Sequence, residues 1–161
     1  MNARIAQAKK QSESGHPEEA RALFKEARVL AQTLSTDARI GPAEALLFVV
    51  EAQAAAGFYE DARITLEGFP DDFSRVRALG AVAHYQALHG KKAAAEVTFQ
   101  QALVMIRNIA VPWPRSLALY EISGYQAEAG FFVEARETAE SISDPTLKKR
   151  ALARVMPSNK E

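Results

Sequence analysis

The sequence contains no cysteine. That one absence excludes disulfides, thiolate nucleophiles and cysteine-ligated zinc together. It suits a reducing compartment, and the cytoplasm is the expected location. Histidine is scarce: His84 and His89 stand five apart and His16 lies in a Gly-His-Pro turn, so no two share a helix face as an i, i+4 zinc pair would. Neither sign of charge is in excess, with 20 Lys plus Arg against 20 Asp plus Glu. Nucleic-acid affinity rests largely on neutralising phosphates, so this balance points away from such a partner. The longest apolar run, residues 45–50, stops at Glu51, well short of the roughly 20 residues a membrane span needs. The opening residues lack the apolar stretch of a secretory signal. No Gly-rich phosphate loop, HExxH or spaced Ser-His-Asp set is present. The expectation is a protein that is not an enzyme, without cofactor, metal, nucleic acid or membrane among its partners.

What the sequence does have is a repeat. Four glycines follow a glutamine at constant distance: Gln11 and Gly15, Gln53 and Gly57, Gln86 and Gly90, Gln126 and Gly130. Five residues after each glycine stands an alanine, at 20, 62, 95 and 135. Before the glycines, apolar positions recur at the three-and-four spacing of one helix face, as in Leu46, Val49, Val50 and Leu79, Val82, Ala83. After them the same period continues through Ala20, Phe24, Ala27 and Ala95, Phe99, Ala102. Each unit therefore reads as helix, glycine turn, helix, the glycine supplying the positive φ on which helices commonly end. The recurring alanine is read as a small residue that lets paired helices pack closely, Ala20 against Ala8 and Ala95 against Ala83.

A longer period overlies the short one. Gly15 to Gly90 is 75 residues and Gly57 to Gly130 is 73. Residues 45–82 match 118–155 at many positions, so units with long second helices (about 17–34 and 91–109) alternate with short ones (about 59–68 and 132–142). Duplication of a two-unit block explains this. Asp71 and Asp144 are expected to cap following helices. Gly41-Pro42 and Pro112-Trp113-Pro114 punctuate the junctions, with Trp113 expected to pack there. Residues 158–161 are expected to fray. With 48% hydrophobic and 25% charged residues, the composition is that of an ordinary globular chain. The reading is one all-α domain over residues 1–161, with repeats at about 3–34, 42–69, 72–109 and 114–142 and a terminal helix at 145–156.

Small residue, turn glycine, alanine five on and aromatic nine on (Ala8, Gly15, Ala20, Phe24; Ala83, Gly90, Ala95, Phe99) resembles the tetratricopeptide repeat. The chain departs from that family in carrying glutamine where it often has an aromatic. The proline that closes the family's second helix is missing, and the glycine intervals are 42, 33 and 40 residues. The resemblance implies antiparallel helix pairs stacked as a right-handed superhelix whose concave face, lined by first helices, binds a peptide or a partner helix. Its inner-face positions fall on Glu44, Leu47 and Glu51, then Arg77, Gly80 and His84, then Leu117, Tyr120 and Gly124. The lysine, arginine and asparagine clamp that some members use for a C-terminal carboxylate has no counterpart here.

From these positions the candidate partner-binding residues are Glu44, Leu47, Glu51, Arg77, His84 and Tyr120. Glu44 with Arg77, and Glu51 with His84, are expected as lateral pairs, and as solvated surface pairs they would contribute about 0–1 kcal/mol. The histidines read first as surface or packing residues, with a groove role for His84 as the alternative. Tyr120 reads either as a partner anchor or as a singly exposed tyrosine. The glutamines are read as hydrogen bonds between helices, since a buried amide must be satisfied. The Lys148-Lys149-Arg150 run reads as a solvated helix face. The leading functional expectation is a protein-interaction scaffold. The alternatives are a homo-oligomeric assembly unit, dimeric through residues 145–156, and a small-molecule sensor.

Overall fold

The computed structural model describes residues 1–36 and 39–155; the expected fraying of residues 158–161 lies outside them. Among the described residues the secondary structure is entirely helical, in the order α1 (Asn2–Glu13), α2 (Pro17–Gln32), α3 (Pro42–Ala55), α4 (Tyr59–Leu66), α5 (Asp72–Leu88), α6 (Lys92–Ile106), α7 (Pro112–Glu128), α8 (Phe132–Glu140) and α9 (Pro145–Val155). This is the expected all-α repeat. Four helix pairs are followed by one further helix.

The glycine corners are built alike. Gly15, Gly57, Gly90 and Gly130 have φ of 78°, 83°, 76° and 84°, a region that costs other residues a clash with their own Cβ. At each corner the amide after the glycine donates back to the carbonyl of the recurring glutamine: His16 to Gln11 at 2.9 Å, and Phe58 to Gln53, Lys91 to Gln86 and Phe131 to Gln126 at 2.8 Å. The glycine amide closes the inner bond, for example Gly57 to Ala54 at 3.0 Å. Together these bonds satisfy carbonyls that a helix end leaves orphaned.

Helix starts follow their caps. Asp71 Oδ1 accepts from the Ser74 amide at 2.8 Å, and Asp144 Oδ1 accepts from the Leu147 amide at the same distance. Pro17, Pro42 and Pro112 occupy first helical positions, where a missing N–H costs nothing. The second helices end two or three residues earlier than the periodicity suggests. Their apolar stripe continues through tighter turns, as in Asn108 to Met105 (3.0 Å) and Ile109 to Ile106 (3.1 Å). Trp113 does not pack the junction. Pro112 draws it into the first turn of α7, where it is 60% exposed.

The small residues lie where close packing needs them: Ala8, Ala20, Ala62, Ala83, Ala95 and Ala135 are all 0% exposed. Edge-on aromatic pairs link successive units, Phe24 with Phe58 at 5.7 Å and Phe99 with Phe131 at 5.6 Å between ring centroids. These pairs occupy equivalent places in the two halves of the duplication. First helices pack side by side, α3 on α5, α5 on α7 and α7 on α9, while the second helices make no comparable contact with one another. The main core runs from Ile5 to Ile122. A smaller cluster, Ala135, Ala139, Ile142, Ala151 and Val155, lies beneath α9.

Candidate functional site

Because the first helices touch, their outward side chains form one continuous face. Arg77 of α5 reaches Glu44 of α3 at 3.3 Å, the lateral pair expected from their shared offset. The Arg77 guanidinium also lies over the Phe73 ring at 5.9 Å. Glu51 and His84 do not pair. The His84 ring is packed between Tyr85 (5.3 Å) and Tyr125 (6.0 Å), with its Nδ1 buried and without a hydrogen-bond partner. Burial raises the Glu51 carboxyl above its ordinary pKa; the nearby Glu44 adds to this, while Arg77 and Lys9 oppose it. The Tyr125 hydroxyl is pushed up to about 12, mainly by burial and then by the charge of Glu51.

The other expected site residues fall differently. Leu47 is 4% exposed and packs in the core, so it offers no contact surface. Its neighbour Phe48 is exposed instead, at 37%. Gly80 and Gly124 are buried, because the next first helix fills the space a side chain would need. A Cβ on Gly80 would stand 2.6 Å from Tyr125 Cδ2 and 2.8 Å from Ile122 Cδ1, and one on Gly124 would collide with the Arg154 guanidinium. Tyr120 is half-buried under two cations of α9, with Arg150 at 5.8 Å and Arg154 at 5.9 Å from its ring centroid. Arg154 is itself tied to Glu128.

The open part of this face therefore lies toward α1. A concavity of ≈ 390 Å³ opens between α1, α3 and α5, and its lining includes Ile5, Lys9, Phe48, Glu51 and Tyr85. Phe48 and Tyr85 were missed in the sequence because they sit one position beyond the offsets taken from the family. Compared with family models, curated proteins and solved structures, the chain finds no match. Its chemistry must be read from the residues. Among the described residues no group of three or more His, Asp or Glu is placed to hold a metal ion, and no helix is long and apolar enough to cross a membrane. Glu51 has no ion-pair partner among them. A half-buried carboxylate flanked by aromatic rings and one lysine is suited to contacting a polar chain with some apolar content.

Proposed function

We propose that this chain is a protein-interaction scaffold of the tetratricopeptide kind, binding a peptide or partner helix on its first-helix face. The observation that carries this reading is the asymmetry of packing. The first helices α3, α5, α7 and α9 pack in succession while α1 only grazes α3 and the second helices stand apart, and a stack closed on one side and spread on the other curves toward the closed side. The curvature makes the face bearing Phe48, Glu51, His84 and Tyr85 concave. Tyrosine and phenylalanine are the side chains that anchor partners, since they bury large area with little rotamer entropy to lose.

The test is affinity capture from native lysate on the immobilised chain, repeated with Phe48→Ala and Glu51→Lys after circular dichroism has verified the fold of each. Partners held by the wild type and lost from both variants support the reading. Capture unchanged by both substitutions contradicts it.

A further inference from the structure

A second, wider concavity lies away from the first-helix face. It has a volume of ≈ 1070 Å³ and runs between the second helices α4 and α6, with α5 as its floor. It exists because α4, only 8 residues long, does not pack along the 15-residue α6. Ala93, Val97, Gln100 and Val104 line it at the i, i+4, i+7, i+11 spacing of one face of α6. Val97 and Val104 are 58% and 56% exposed, while Leu66 and Leu79 close the floor.

The charges of the lining are unequal in availability. Arg75 is occupied: its Nε donates to the Leu66 carbonyl at 3.2 Å, one terminal nitrogen donates to the Phe69 carbonyl at 3.3 Å, and the other reaches Asp72 at 3.4 Å. Arg63 is held by Glu60 at 3.1 Å. Glu67 stands 3.8 Å from the same Arg63 with its side chain 73% exposed. Glu96 has no ion pair among the described residues. One carboxylate thus stands on each side of an apolar trough, Glu67 just past the end of α4 and Glu96 on α6.

We propose that this groove binds an amphipathic helix whose apolar stripe is flanked on both sides by lysine or arginine. The walls are helices whose backbone groups are already paired internally, so the occupant finds no strand edge to bond and must satisfy its own backbone, as a helix does. Its apolar ridge would interdigitate with that of α6. Its cations would reach the two carboxylates while their stems cover the valines. The basic helices of the chain itself are poor occupants: the apolar residues of α1 (Ile5, Ala8) and of α9 (Ala151, Val155) are already buried.

The probes are two labelled amphipathic peptides of about four turns, alike in their leucine stripe and flanked by lysine in one and glutamate in the other. Fluorescence anisotropy on the full chain should show the lysine peptide binding at least about tenfold more tightly. Val97→Asp combined with Val104→Asp should abolish that binding without changing the melt, both side chains being largely exposed. Glu67→Lys with Glu96→Lys should reverse the preference. Phe48→Ala, on the first-helix face, should leave it unchanged, so failure here is separable from failure of the proposed function. Absence of binding, equal affinity for the two peptides, or binding indifferent to the valine substitutions overturns the proposal. So does sedimentation showing a dimer that the same substitutions dissolve, which would make a second copy the occupant.

Discussion

At the scale of single residues, the recurring glutamine has two functions, and only one depends on its identity. Its backbone carbonyl closes each corner, which any residue could do. At two of the four corners its side chain also crosses to the second helix: Thr65 Oγ1 donates to Gln53 Oε1 at 2.9 Å, and Thr98 Oγ1 to Gln86 Oε1 at 2.8 Å. The signal was in the sequence, a threonine 12 residues after the glutamine. Thr138 keeps that spacing from Gln126, yet the Gln126 amide oxygen is buried without a partner. Gln53→Met should therefore cost about 1 kcal/mol, the net worth of one hydrogen bond, whereas Gln126→Met should be neutral or stabilising because it removes an unpaired polar group. Urea unfolding midpoints of the two variants decide this. Glu51 offers a second test. A carboxyl whose pKa is raised on folding binds more protons folded than unfolded, so its contribution to stability falls as pH rises through and above the ordinary carboxylate range. Glu51→Gln should raise the melting temperature at neutral pH, and the gain should vanish at a pH well below that range.

At the scale of elements, the corners and the close approaches between helices set the geometry. A Cβ on Gly57 would meet nothing within 4 Å, so Gly57→Ala isolates the backbone penalty of positive φ and should cost about 1–2 kcal/mol. Gly80→Ala fails for another reason, overpacking against Tyr125 and Ile122, and should cost about 1–3 kcal/mol. Calorimetry of both variants tests the two mechanisms separately. The starts of α2, α3, α5 and α9 were legible because capping aspartates and first-position prolines act within one turn, whereas α7 begins at Pro112, two residues before the expected start. The helix ends were overestimated because a tight final turn keeps the same apolar residues inward. Pairing across the first-helix face was legible for Glu44 and Arg77, which share an offset and meet, but not for Glu51 and His84, which share one and do not. Leu47, Gly80 and Gly124 depend on which residue of the neighbouring unit fills the space beside them, and the repeat period does not encode that. Trp113 misled for a similar reason: its prolines suggested a loop, but Pro112 begins a helix.

At the scale of the molecule, the units form a row in which each contacts mainly its neighbours, so stability should be graded along the chain rather than uniform. Helix α5 sits at the centre, packed against α3, α4, α6 and α7, whereas α1 and α9 are flanked on fewer sides. Both proposed surfaces depend on this arrangement, one on the side where helices touch and the other where they part. Native-state hydrogen exchange, read amide by amide on the whole chain, tests it most directly. The account predicts the slowest exchange in the interior of α5, faster exchange in α1 and α9, and fast breaks for the unbonded amides at the starts of α2, α4, α6 and α8. Protection running unbroken through residues 59–61, 92–94 and 132–134, or α9 as slow as α5, would contradict it.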